Sequence, residues 1–237
     1  MAKIAAIVQA RLGSSRLPLK SLLTLRGKPV IDWVVERLRT SKALAGNIIV
    51  ALPDTRLDSA LFEHLHSQNV SCIFGSEDDV LGRMAKAASG LDADLLIRVC
   101  ADNPLVWGKA IDQLADFYMD GDFDYAYNHV PKNNLWPDGL GAEIVSRKLL
   151  LELDKVARSP AQREHCMNYI WENHSLFKTG TFNPPDERLR RPDVKLDLDT
   201  VEDFEKLALM PLQPDMEAPE IIRIYDESLA GTGQEKK

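Results

Sequence analysis

The chain holds little cysteine and scatters what it has. Cys72, Cys100 and Cys166 are odd in number and far apart, and no Cys-x-x-Cys pair occurs. A disulfide framework is therefore excluded, and the three read as reduced, buried thiols of a cytosolic protein. No segment approaches the roughly 18 consecutive apolar residues of a membrane span. The apolar run after Met1-Ala2-Lys3 is too short for a signal peptide and meets charge at Arg11, so a cytoplasmic location is expected. There is no surplus of positive charge: 29 Lys and Arg stand against 36 Asp and Glu, a formal net charge of −7. That balance argues against a general nucleic-acid-binding surface. No G-x-G-x-x-G follows the first apolar run, which weakens a dehydrogenase reading. Internal repeats and low-complexity tracts are absent as well.

What is present is an ordinary globular composition, 45% apolar and 27% charged over 237 residues, enough for one large domain. Apolar runs alternate with helical patterns through the first half. Strands are expected at Ile4–Val8, Asn47–Leu52, Val70–Phe74, Asp94–Cys100 and Asp124–Tyr127. Helices are expected from Pro29 to about Thr40, Leu57 to Ser67, after a Ser76 cap, and from Gly108 to Met119. This β-α-β-α rhythm predicts a mostly parallel sheet covered by helices on both faces. Residues 129–141 carry two prolines and two glycines and read as an irregular loop. Beyond it we expect a strand at Glu143–Val145, a helix over Ser146–Ala157 and one from Pro160 to about His174. Strands at Lys178–Phe182 and Val194–Leu198 follow, then a helix capped by Thr200 and a last helix near Pro219–Leu229. A disordered tail is expected over 231–237.

The first strand runs directly into a loop with Arg11, Gly13, Ser14, Ser15, Arg16 and Lys20. In open α/β sheets ligands bind beyond the carboxyl ends of strands. Arginine forks, a lysine point charge and a glycine-rich turn are suited to a polyanion, so this loop predicts a triphosphate site. Opposite it in chemistry stand Asp102, just past a strand end, and Asp197 and Asp199, two apart and so on one face of an extended segment. An oxygen-rich set of this kind suits Mg²⁺. Taken singly these residues have plainer readings: Asp199-Thr200 as a helix start, Asp102-Asn103-Pro104 as a turn, the arginines as solvated surface charge. Collected at strand ends, they describe nucleotidyl or phosphoryl transfer.

The motifs also fall in a familiar order. Q-A-R-L-G-S-S-R-L-P-L-K from residue 9 is followed by Gly27-Lys28-Pro29, by Gly75-Ser76-Glu77-Asp78-Asp79-Val80-Leu81 and by Ala101-Asp102-Asn103-Pro104-Leu105. Asp138-Gly139-Leu140 with Glu143, Arg163-Glu164-His165, and Leu196-Asp197-Leu198-Asp199-Thr200 with Glu202-Asp203-Phe204 come later. Together they resemble the acylneuraminate and ketodeoxyoctonate cytidylyltransferases, which activate acidic sugars as CMP conjugates, and within them the SpsF-like branch of spore-coat polysaccharide biosynthesis.

The resemblance implies a Rossmann-like three-layer α/β/α sandwich of the nucleotide-diphospho-sugar transferase type and a homodimer. It implies a single domain over residues 1–230, with 129–185 as an acceptor-side and dimerisation elaboration. The substrates would be CTP and a sugar, with no nucleic acid or membrane partner. Arg11, Arg16 and Lys20 match the CTP-phosphate positions. Gln9, Ala10, Gly13, Ser14, Ser76, Arg98 and Ala101 fall around the nucleotide. Asp102 and Asp199 match the metal-binding acids, with Asp197 beside them. Asn128, Glu143, Arg163, Glu164 and His165 fall on the acceptor side, where His165 also reads as a structural helix residue. Leu19 stands where the family often has glycine, and Asn103 where the branch tends to have cysteine. A Mg²⁺-dependent glycosyltransferase and a non-catalytic nucleotide-sugar-binding protein use similar parts and stay open as alternatives.

Overall fold

The computed structural model describes residues 2–232. Nine strands alternate with nine helices among those residues. In chain order they begin with β1 (Ile4–Gln9), β2 (Thr24–Leu25), β3 (Lys28–Pro29), α1 (Val30–Leu38), β4 (Ile48–Pro53), α2 (Ser59–Ser67), β5 (Ser71–Gly75), α3 (Val80–Gly90) and β6 (Leu95–Cys100). They continue with α4 (Gly108–Asp120), β7 (Tyr125–Tyr127), β8 (Glu143–Ser146), α5 (Arg147–Val156), α6 (Pro160–Glu164), α7 (Asn168–Glu172), β9 (Thr179–Gly180), α8 (Val201–Leu209) and α9 (Ala218–Thr232).

Seven strands form one sheet in the order β5-β4-β1-β6-β8-β7-β9, and β2 and β3 form a separate hairpin. All neighbours run parallel except at β8, which is antiparallel to both β6 and β7. The central strand explains why the sheet must be covered twice. Ile4, Ala6 and Val8 of β1 face a core with Ile31, Val34 and Leu38 of α1 and Ile111 and Leu114 of α4. Ala5 and Ile7 face the opposite core with Leu81, Met84 and Ala88 of α3 and Leu150 and Leu153 of α5. A strand apolar at every position can be buried on both sides only between two helical layers, so the three-layer α/β/α expectation holds. A third cluster seats α8 and α9 around Trp33, Trp107 and Trp136. Trp171 lies edge-on to Tyr125 and Tyr127. No described helix is long and apolar enough to cross a membrane.

Several local expectations are corrected. Asp79, not Ser76, caps α3, its carboxylate accepting from Gly82 N at 2.8 Å. The helix expected from Pro160 to His174 is broken after Glu164, because Cys166 and Met167 turn inward and are buried beneath α3. Val194–Leu198 is not a sheet strand, and only Lys195 forms a bridge, to Asp138. The N–H groups of this segment go to two different loops, Leu196 to Asp138 O at 3.0 Å and Leu198 to Asp102 O at 2.8 Å. Lys178–Phe182 contributes only β9. The last helix runs on through Thr232, into the expected tail, and 233–237 lie outside the described residues.

Candidate active site

The site begins where β1 and β6 end side by side, with Gln9 opposite Cys100. Ala101 N donates to Gln9 O at 3.0 Å, so the chain leaving β6 is held against the chain leaving β1. The basic loop is then shaped by its apolar residues. Leu12 and Leu17 are buried, and Leu12 N donates to Asp58 Oδ1 at 2.8 Å. Leu19 N returns to Leu12 O at 3.1 Å, closing the loop. That closure sets Leu19 at φ 60°, a left-handed conformation that favours glycine. Lys20 follows at once and turns back over the strand ends.

A cavity of about 420 Å³ opens here. Gln9, Ala10, Arg11, Ser14, Arg16, Lys20, Arg98, Ala101, Asp102, Glu164 and His165 line it, so eleven of the expected residues come together from three parts of the sequence. A larger hollow of about 530 Å³ beside Trp107 shares no residue with it. Basic and acidic groups meet directly at the cavity mouth. Lys20 Nζ donates to Asp102 Oδ2 at 2.5 Å, both largely shielded. Arg16 grips Asp199 with two hydrogen bonds of 3.0 and 2.9 Å. Lys20 Nζ also reaches Leu198 O at 3.4 Å, tying both acidic segments to the loop. Among the described residues Arg11 has only a 3.6 Å ion-pair contact, with Glu164.

The acids gather behind these cations. Asp199 stands at the head of α8, where Asp203 accepts from both Asp199 N and Thr200 N, and Thr200 caps the helix in return. Asp138 joins the group through Gly139, whose φ of 92° and approach to Asp197 N leave no room for a side chain. Burial and the neighbouring Asp197, Asp102 and Asp199 push the Asp138 carboxyl up to about 7. Burial, Asp199 and Asp102 likewise raise Asp197 against the pull of Lys195. The carboxylates therefore feel one another, yet no three His, Cys, Asp or Glu among the described residues are drawn into a ready metal centre. Lys20, Arg16 and Lys195 stand among them.

The inner wall is an ion network. Arg98 donates to Gln9 Oε1 at 2.9 Å and to Glu143, while Tyr125 OH donates to Glu143 Oε1 at 2.5 Å. Burial alone would raise Glu143, but Arg98, His129 and Tyr125 outweigh it and hold its carboxyl below the usual range. Burial pushes the Cys100 thiol up to about 12, so it stays a neutral thiol at the wall.

Other expected residues stand elsewhere or are occupied. Asn128, expected on the acceptor side, is fully buried: its amide donates to Ala110 O and accepts from Ala142 N, locking β7 to α4 and β8. Glu143 is buried behind Arg98 rather than presented to the cavity. Arg163 turns away and bridges Asp79 and Asp154. Gly13 and Ser76 sit outside the lining; Gly13 is held close to Glu77, and Ser76 is exposed. His165 lines the cavity from the turn after α6. Sequence reasoning missed Arg83. It is buried, lines the cavity and donates to the carbonyls of Ser76 and Glu77. Its signal, one arginine among the small apolar residues of α3, was visible but not specific.

The mostly parallel α/β sheet, which sets cations against carboxylates beyond the ends of β1 and β6, has the nucleotidyltransferase fold. The family model for cytidylyltransferases matches residues 5–220. The chain is 30% identical over 236 residues to the spore coat polysaccharide biosynthesis protein SpsF of Bacillus subtilis, covering 96% of each chain. A cytidylyltransferase structure from Leptospira borgpetersenii superposes with a TM-score of 0.86 at 28% identity, covering 97% of this chain and 96% of that one. The CTP complex of CMP:2-keto-3-deoxy-manno-octonic acid synthetase shares the fold, with a TM-score of 0.64 at 21% identity over 87% of this chain and 97% of that one. The protein belongs to the cytidylyltransferase family.

Proposed function

We propose that this protein transfers CMP from CTP to the hydroxyl of an acidic sugar, releasing pyrophosphate, for the synthesis of a surface glycan. The observation that carries this reading is the meeting of Lys20 and Arg16 with Asp102 and Asp199 at the ends of the two central strands. A triphosphate supplies the anionic partner those cations need once the carboxylates are otherwise engaged.

In this reading Arg11, Arg16 and Lys20 take the triphosphate oxygens and offset the charge that grows on the departing pyrophosphate. The sugar oxygen bonds to the α-phosphorus as the α–β phosphoanhydride bond breaks, and Asp197 receives the hydroxyl proton. Rate comes from alignment and fixed charge rather than from a covalent enzyme intermediate. The residues also fit Mg²⁺. Asp197 Oδ1 is buried, 3.5 Å from Lys195 Nζ and without a hydrogen-bond donor among the described residues, and the clustered carboxylates are a hard-oxygen set. Asp102 and Asp199, with Asp197, would hold the ion, which when bound draws charge from the phosphoryl oxygens. The proposal includes a cytoplasmic enzyme acting as a homodimer through residues 129–185, which light scattering tests.

The deciding measurement is pyrophosphate release with CTP and Mg²⁺ across a panel of acidic sugars. Turnover with CTP well above that with UTP or ATP is expected, and Asp102→Asn should lower it at least about a hundredfold at saturating Mg²⁺. Release of a nucleoside diphosphate from a nucleotide sugar, with no pyrophosphate from CTP, would overturn the reading.

A further inference from the structure

Two of the three cations proposed to hold phosphate are already paired with acids proposed to hold metal. Lys20 is on Asp102 and Arg16 is on Asp199, across sequence separations of 82 and 183 residues. The fold reinforces both pairings. Leu198 N donates to Asp102 O, and Lys20 Nζ reaches Leu198 O, so the two acidic segments and the lysine form one joint. Asp199 is presented by a backbone already fixed through Asp203 and Thr200, leaving its carboxylate to pair with Arg16. With Lys20 at 13% and Asp102 at 23% side-chain exposure, water screens that pair only partly.

We propose that Asp102 and Asp199 are built-in counter-anions, and that phosphate binding and divalent-cation binding proceed by exchange of these ion pairs. A triphosphate must displace the two carboxylates from Lys20 and Arg16. Displacement leaves both carboxylates without these partners beside Asp138 and Asp197, which makes them ready for a divalent cation. Conversely, a cation that draws Asp102 and Asp199 away frees Lys20 and Arg16 for phosphate. Each ligand therefore prepares the site of the other, and linkage requires the coupling to be equal in both directions. The inference rests on the triphosphate reading above and adds the reason neither ligand should bind well alone.

The test is isothermal titration of sodium tripolyphosphate and of CTP, in EDTA and in Mg²⁺, into the full chain and its variants. The wild type should bind weakly in EDTA. Asp102→Asn and Asp199→Asn should each bind the metal-free triphosphate about fivefold or more tighter than wild type, because Lys20 or Arg16 is released. Both should gain less from Mg²⁺ than the wild type does. Asp122→Asn removes one exposed negative charge paired with Lys178, remote from the site, and should leave both affinities unchanged. The Arg16–Asp199 pair lies at the surface, so Asp199→Asn carries the test if Asp102→Asn fails to fold. Metal-free affinity in Asp199→Asn equal to or weaker than wild type overturns the exchange while leaving the triphosphate reading intact. Equal gains in Asp122→Asn would also overturn it, because net charge alone would then explain the effect. No triphosphate binding by any protein, with or without Mg²⁺, overturns the functional reading itself.

Discussion

Leu19 sits at φ 60°, half exposed, between a buried loop anchor and the lysine that covers the strand ends. A side chain in this conformation costs about 1–2 kcal/mol against glycine, and glycine returns about 0.5–1 kcal/mol as extra freedom in the unfolded chain. Leu19→Gly should therefore stabilise the protein by about 0.5–1 kcal/mol, read as a higher urea midpoint at unchanged slope. A lower midpoint would mean that the leucine side chain makes contacts worth more than the strain. The requirement for a left-handed residue follows from the Leu19–Leu12 hydrogen bond. That the chain meets it with leucine can be read from the sequence only by comparison with a family that often uses glycine.

At the scale of elements, α3 shows how a remote helix braces the site. Asp79 caps α3 and also binds Arg163, whose other partner is Asp154 of α5. Gly82 allows this close pass, since a side chain there would strike Asp79 and Arg163. Burial would raise the Asp79 carboxyl, but Arg163 and the Gly82 N–H outweigh it and hold it below its ordinary 3.8. A carboxyl lowered on folding stabilises fully above its unfolded value and loses that contribution as pH falls through the folded one. Asp79→Ala should cost about 1–2 kcal/mol at pH 7. Its gap to wild type in thermal melts should narrow as pH drops below about 4. A gap independent of pH would remove the ionised cap from the account. Helix positions, the Thr200 cap and the basic loop were legible because they depend on local periodicity and side-chain chemistry. The sequence points to Ser76 as the cap because the run Ser76-Glu77-Asp78-Asp79 offers three eligible residues, Ser76, Asp78 and Asp79, and only packing against Arg83 and Arg163 chooses among them.

Across the whole molecule, two helical layers clamp the sheet, and a few buried polar groups fix how distant parts meet. Asn128 is one, with one amide serving α4 and the approach to β8. Asn128→Ala strands a carbonyl and an N–H in the interior and should destabilise by about 2–4 kcal/mol. The loss should appear in the melting temperature, with the KM for sugar unchanged in the folded fraction. A raised KM at unchanged stability would return Asn128 to the acceptor side. Nothing local distinguishes such a residue from an exposed ligand contact, because an asparagine after a strand serves either purpose.

The sequence by itself determined the α/β class, the doubly covered sheet and the chemistry at the strand ends, because burial periodicity and the clustering of charge in a loop are local properties. It determined which side chains bear charge, and in what order. Tertiary structure alone decided their partners. It set Lys20 on Asp102 and Arg16 on Asp199, brought Asp138 to the acids through Gly139, and withdrew Asn128, Glu143 and Arg163 into internal contacts. Those pairings depend on where chain segments up to 183 residues apart come to lie, which local propensities do not encode.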